Sequence, residues 1–251
     1  MKKTIVVAGK GGTGKTTLTS LLVRYIIEEI KTPVLAIDAD PNESLGSYLG
    51  INGKIETMMD IVDMVLSKPE AIPAGMTKER FINLQIQQSI VEEKDFDFLS
   101  MGRPEGPGCY CYANNLLKGL VQKVKDSYDY TVIDNEAGLE HLSRRITPQI
   151  DVLLIVCGID LTSFKTAMRV LNIVKKLKIK VQKKFLLANR IKDGFAFGIE
   201  KVMSDEKMEF LGEIPEDEKL IRLSMEGKSI FELKKDSVSL KQTRDIFGNI
   251  F

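Results

Sequence analysis

The chain has 251 residues, 43% hydrophobic and 28% charged, with 36 basic against 35 acidic side chains. This is an ordinary globular composition, long enough to bury a large core, and a formal net charge of +1 offers no broad basic face for nucleic acid. Three cysteines make no disulfide framework in a chain of this length, which points to a reducing cytoplasm. No apolar run approaches the roughly 20 residues of a membrane span, and the five apolar residues after Met1-Lys2-Lys3 are too short for a signal sequence.

Short apolar runs alternate with helical patterns, as expected of an α/β fold with a mostly parallel sheet of about seven strands and helices on both faces. Strands are expected at residues 4–8, 34–38, 96–100, 130–134, 152–157 and 184–189, with a weaker one at 209–213. Helices are expected at 15–30, 113–126, 162–178 and 237–248, with shorter ones at 139–146 and 217–226. No repeat, low-complexity segment or linker interrupts the pattern, so residues 1–251 read as one domain. Residues 51–93 fit the alternation worst. They carry Met58, Met59 and Met64 in helical stretches and turn signals at Pro69 and Pro73-Ala74-Gly75. This section reads as a helical insertion packed on the sheet edge, with the methionines as core filler.

The first strand runs into Gly9-Lys10-Gly11-Gly12-Thr13-Gly14-Lys15-Thr16-Thr17, and a helix follows at once. A strand, a glycine-rich turn and a helix opening Lys-Thr-Thr form a P-loop, a cradle for phosphates. Backbone N–H groups close on phosphate oxygens, and the helix aims its positive end at the anion. Gly11, Gly12, Thr13, Gly14, Lys15, Thr16 and Thr17 are the candidate phosphate-binding set. Lys15 would reach the β- and γ-phosphates, and the Thr16 hydroxyl would hold Mg²⁺.

Ligands of such sheets lie at the carboxyl ends of strands. The second strand ends Asp38-Ala39-Asp40-Pro41, and its two carboxylates, spaced by two, point the same way if the strand persists. One would orient the attacking water and the other would support Mg²⁺ or the loop. Asp134 ends the apolar strand Tyr130-Thr131-Val132-Ile133, the Walker B arrangement that binds Mg²⁺ directly or through water. Beyond it, Gly138 would donate its N–H to the γ-phosphate as part of a switch. His141, the single histidine, reads as structural. Asn189-Arg190 ends a later strand, and Pro215-Glu216-Asp217 follows the next; together they suggest a pocket for the base.

Gly102-Arg103-Pro104-Glu105-Gly106-Pro107-Gly108-Cys109-Tyr110-Cys111 is a constrained loop presenting two thiols at i and i+2. Two thiolates are too few for a closed four-ligand site, but a two-fold dimer would bring four together. Four sulfurs suit Zn²⁺, Ni²⁺ or a bridging iron–sulfur cluster. The bland alternative is two unrelated small residues near a turn. Cys157 lies in an apolar strand and reads as core.

With these residues assembled, Gly9 to Thr16 resembles the deviant Walker A motif of the SIMIBI-class, MinD/ParA-like P-loop ATPases, whose mark is the extra lysine here at Lys10. Within that class the chain is similar to the CooC/AcsF-type nickel-insertion accessory proteins of carbon monoxide dehydrogenase and acetyl-CoA synthase. Cys109-Tyr110-Cys111 and Asp134-Asn135-Glu136-Ala137-Gly138-Leu139-Glu140-His141-Leu142 carry this second resemblance. Asn135-Glu136 departs from Par-type relatives, where a small hydroxyl residue often follows the Walker B aspartate. The resemblance covers essentially the whole chain. It implies an ATP-hydrolysing cytoplasmic homodimer using ATP/ADP and Mg²⁺. Lys10 would act in trans, with Lys15 and Asp40 as the other catalytic residues, Asp38 supporting, and Asn189, Arg190, Pro215 and Asp217 around the base. Ni²⁺, or Zn²⁺, would bind Cys109 and Cys111 across the dimer and pass to a client nickel enzyme, with no nucleic acid and no membrane as partner. The competing expectations are a ParA/MinD-like partition or positioning switch and an iron–sulfur electron-transfer ATPase.

Overall fold

Runs such as Ile5-Val6-Val7-Ala8 and Leu35-Ala36-Ile37 contain no polar residue, which suits strands covered on both faces. The computed structural model describes residues 2–103, 119, 121–136, 149–158, 161–191, 203 and 206–251. Cys109, Cys111, Gly138, His141, the whole expected helix at 139–146 and half of that at 113–126 lie outside the described residues. The described elements are β1 (Lys3–Gly9), α1 (Lys15–Tyr25), β2 (Val34–Ala39), α2 (Leu45–Leu49), α3 (Met58–Ser67), α4 (Lys78–Gln88), β3 (Val91–Glu92), β4 (Phe96–Ser100), β5 (Tyr130–Asn135), β6 (Gln149–Cys157), α5 (Leu161–Lys176), β7 (Lys180–Ile191), β8 (Glu209–Pro215), α6 (Glu218–Met225) and α7 (Val238–Gly248). Residues 121–125 are also helical.

The strands form one sheet in the order β3-β4-β2-β5-β1-β6-β7-β8. Every neighbouring pair is parallel except β3 with β4. The expected strands are all present; the addition is β3, whose two residues are too few to show a period. Alternate residues feed two cores. Ile5 and Val7 join Leu18, Leu22 and Phe247 on one face, where α1 and α7 pack. Val6 and Ala8 join Ile61, Ile86 and Leu171 on the other, where α3, α4 and α5 pack.

Residues 51–93 hold two helices, as expected. α3 begins at Thr57 in a reciprocal capping box with Asp60. Met58 and Met59 are buried, and Met64 packs against the same core, which also includes Leu35, Ile37 and Leu99. The methionines are therefore core filler, and α3 covers a face of the sheet beside β2 and β4 instead of only its edge. The expected helix at 15–30 changes character: Ile26–Ile30 is a π-helical turn closed by a left-handed Lys31. Arg24, 3% exposed, sits just before it. Its guanidinium donates to the carbonyls of Ile230 (2.6 Å) and Leu233 (2.8 Å) and to Glu28. Glu28 also accepts from Arg244 on α7. Among the described residues no helix is long and apolar enough to cross a membrane.

The strand order places the site. The chain leaves β1, crosses to β2 leaving room for one strand, and β5 fills that gap. The carboxyl ends of β1, β2 and β5 thus meet where connections diverge to either side, the usual crevice of an open α/β sheet.

Candidate functional site

Register brings the three motif-bearing strand ends into one row. Val7 pairs with Asp134, Asp38 pairs with Asp134 across β2 and β5, and Asp38 pairs with Ser100 on its other side. Paired residues of parallel neighbours share a face, so Asp38 and Asp134 stand side by side beneath α1. Both are fully buried.

The loop from Gly9 to Thr17 wraps the end of β1. A Cβ on Gly9 would stand 2.2 Å from the Val156 carbonyl oxygen, so only glycine fits between β1 and β6. Gly14 is left-handed (φ +87°), and a Cβ there would lie 2.4 Å from Asn189 Nδ2. The loop closes on the Lys10 carbonyl, which accepts from the Thr13 N–H (3.3 Å), the Thr13 hydroxyl (2.8 Å) and Lys15 Nζ (3.4 Å). Lys15 is 6% exposed, so its ammonium lies within the loop instead of in solvent.

An open cleft of about 530 Å³ lies over this loop, a size in the usual range for small-ligand sites. Gly11, Gly12, Gly14, Lys15, Thr16 and Thr17 line its floor, Asp40, Pro41, Asn42, Ser44 and Tyr48 one wall, and Glu136 and Arg190 complete it. Among the expected residues, the structure therefore brings together the loop, Asp40 and Arg190. Asp38 and Asp134 lie beneath the cleft. Lys10 is in the loop itself.

Asp38 is built into the wall. It accepts from the N–H of Asp40 (3.0 Å) and of Leu45 (2.8 Å), so one carboxylate holds both ends of the segment between β2 and α2. One oxygen of Asp40 is in turn held by the Asn42 N–H and side-chain amide. Burial pushes the Asp38 carboxyl up to about 7, and the charge of Asp134 adds to the rise. Burial likewise lifts Asp134 to about 6, against the pull of Thr16, Lys15 and Thr19. Thr19 donates to Asp134 Oδ1 at 3.1 Å, while Oδ2, buried, has no hydrogen-bond partner among the described residues. A carboxylate oxygen orphaned beside a threonine hydroxyl is a hard-oxygen donor set, and it fits Mg²⁺.

On the base side the picture differs from expectation. Asn189 donates its amide to the Thr13 carbonyl (2.8 Å). Pro215 ends β8 beside Ile191. Neither Pro215 nor Asp217 is among the described residues that line the cleft. The Asp217 carboxylate is occupied elsewhere: it caps α6 through the Lys219 N–H and accepts from Ser237 Oγ (2.5 Å) and the Ser239 N–H (3.0 Å). Burial alone would raise it, but these donors outweigh burial and hold it below the ordinary carboxylate range.

Sequence reading missed Ser44, whose hydroxyl lies 3.4 Å from Thr16 Oγ1, and Tyr48, whose hydroxyl pairs with Ser224 Oγ at 2.8 Å. Ser44 follows the Asp38-to-Asn42 turn closely enough to have been flagged by position. Tyr48 had no signal, because only α2 brings it to the cleft. Thr19 had one, a polar side chain one turn after Lys15 in an otherwise apolar helix.

The comparisons with known proteins agree with this geometry. Residues 4–230 match the CobQ/CobB/MinD/ParA nucleotide binding domain. The chain belongs to that family. It is accordingly a P-loop ATPase. An uncharacterised ATP-binding protein of Methanocaldococcus jannaschii is 34% identical over 248 residues, spanning 98% of this chain and 97% of its own. The carbon monoxide dehydrogenase accessory protein CooC of Rhodospirillum rubrum is 29% identical over 239 residues, 91% of this chain and 89% of its own. Among solved structures, the MinD cell division protein of Aquifex aeolicus superposes with a TM-score of 0.70 at 25% identity, covering 98% of this chain and 97% of that one.

Proposed function

We propose that this ATPase is a nickel metallochaperone: a nucleotide-driven homodimer that carries Ni²⁺ on Cys109 and Cys111 and delivers it to a client nickel enzyme of the carbon monoxide dehydrogenase or acetyl-CoA synthase type. The observation that carries this reading is the likeness to CooC along 91% of the chain, combined with a Cys-x-Cys in a Pro/Gly-constrained loop directly after β4. The metal is cargo. Two thiolates from each protomer would give the four sulfurs that a tetrahedral or square-planar site needs.

In this reading the loop N–H groups and Lys15 bind the triphosphate, and Lys10 of each protomer reaches the phosphates held by the other. Thr16 and Asp134 would hold Mg²⁺, which when bound neutralises charge on the β- and γ-phosphate oxygens. Asp40, on a wall pinned at both ends by Asp38, orients the attacking water. Hydrolysis ends the contact that favours one arrangement of the dimer, and the difference between the two arrangements is what moves the cargo.

The deciding experiment is equilibrium dialysis of ⁶³Ni²⁺ with the wild type and with Cys109→Ala/Cys111→Ala, each with and without ATP. Nickel bound at about one ion per two chains in the wild type and lost in the double variant, with ATP binding unchanged, is the expected result. Unchanged nickel stoichiometry would refute the metallochaperone. The likeness to MinD favours a second reading, a positioning switch. ATP-dependent flotation with anionic vesicles would establish it, and no flotation would exclude the membrane-binding form.

A further inference from the structure

Helices that share a sheet face normally meet through apolar stripes, about 8–10 Å apart. Between α4 and the helical residues 121–125 the chain keeps a gap instead, a groove of about 470 Å³. Each helix turns its apolar residues onto the same core, Ile82 and Ile86 from α4, Val121 and Val124 from the other. The facing walls are polar. On α4, Arg80, Asn83 and Gln87 line the groove at spacings of three and four, so they share one helix face. Lys123 and Ser127 line it from the other side. Among the described residues it shares no lining residue with the cleft over the phosphate loop.

The chemistry of the walls narrows the occupant. Arg80 and Lys123 are exposed, and neither has an ion pair among the described residues. Glu79 is the one acidic lining residue described. Two cations on opposite walls suit a carboxylate or another oxyanion. The amides ask for something more. Asn83 donates Nδ2–H to the Glu79 carbonyl at 2.7 Å, which leaves its Oδ1 as an acceptor. Gln87 makes no side-chain hydrogen bond among the described residues. A carboxamide oxygen repels an anion but accepts from a peptide N–H. Length points the same way. Thr77, the cap of α4, also lines the groove, and the rise from there to Gln87 is ten residues, about 15 Å of helix. A compact anion would occupy part of that length, whereas about four to five residues of extended chain would fill it.

We propose that this groove docks an extended acidic segment of a partner protein, its carboxylates between Arg80 and Lys123 and its backbone against the amides of Asn83 and Gln87. The probe is fluorescein-labelled tetraglutamate, followed by fluorescence anisotropy. The full chain is saturated with Mg·ADP, so that the phosphate loop is filled and cannot take up the probe. Saturable binding below about 1 mM is expected. Arg80→Glu and Lys123→Glu lie at exposed positions, so each should melt as the wild type does and bind the probe at least about tenfold more weakly. Gln87→Leu removes only an amide and should weaken binding about fivefold. Backbone-N-methylated tetraglutamate keeps every charge and loses the peptide N–H groups; it too should bind about fivefold more weakly. A methylated probe that matches the unmethylated one would make the groove a plain anion site and overturn the proposal. Charge-reversed variants that bind like the wild type would overturn it by placing the probe elsewhere. A wild type that does not bind the probe up to that concentration would overturn it outright.

Discussion

Replacing Asp38 by asparagine should change the sign of its effect on stability with pH. In the protein without Mg²⁺ or nucleotide, the folded Asp38 carboxyl titrates at about 7 against an ordinary 3.8. Between those values the folded state holds more protons than the unfolded one, so stability falls as pH rises through the window and levels off above it. About three units at 1.36 kcal/mol each set an upper limit of about 4 kcal/mol for the ionised carboxylate above pH 7. Asparagine removes that penalty. It also keeps only one acceptor for the two N–H groups of Asp40 and Leu45, and the abandoned buried donor costs about 1–3 kcal/mol. Asp38→Asn should therefore be less stable than the wild type by about 1–3 kcal/mol at pH 4, where the aspartate is already neutral. At pH 8 it should be more stable by about the same amount, once the relieved charge outweighs the lost bond. Urea denaturation of both proteins in EDTA, at half-unit steps from pH 4 to 8, measures the difference directly. A difference that stays constant across that range would refute the account of two carboxylates forced together under α1.

Gly14→Ala should lower stability by about 1–3 kcal/mol, because it strains a left-handed residue and drives a Cβ into the Asn189 amide; differential scanning calorimetry reads this without any nucleotide. Asp217→Ala removes one acceptor from three donors that tie α6 to α7, and a loss of about 2–4 kcal/mol in urea denaturation is expected. Because the wild-type carboxyl is held below its ordinary value, its stabilisation is present above pH 4 and fades as pH falls through the folded value, so the two proteins should converge in acid. Lys15→Gln should fold normally and lose at least about a hundredfold in kcat for ATP hydrolysis, since it deletes the one ammonium buried in the loop; steady-state phosphate release checks it.

What could be read from the sequence was whatever a strand and the turn after it encode together. Lys15, Thr16, Asp38 and Asp134 each end or follow an apolar run, and the rule that ligands sit at carboxyl ends was enough to gather them. The carboxyl-end rule also reached Asn189, but not the bond it makes, because the Thr13 carbonyl is 176 positions away in sequence. Asp217 illustrates the converse. Its place after β8 suggested a ligand contact, whereas an aspartate directly before a helix is first of all a cap, and its further partners Ser237 and Ser239 carry no local cue. β3 escaped because two residues have no periodicity, and Tyr48 because its position depends on how α2 docks.

Arg24 ties the start of the chain to its far end. Its guanidinium belongs to the helix that opens at the phosphate loop, and the carbonyls that satisfy it belong to residues 206 and 209 positions later. Glu28 in the adjoining π-helical turn adds Arg244, 216 positions on. A buried arginine without its acceptors is costly, so during synthesis the loop-bearing helix cannot settle into its final seat until residue 233 has left the ribosome. The nascent chain should consequently acquire ATP affinity in one step once residue 233 has emerged instead of when the loop itself emerges, and proteolysis or mutation around Ile230 and Leu233 should register as lost nucleotide binding although neither residue is among the described residues that line the cleft.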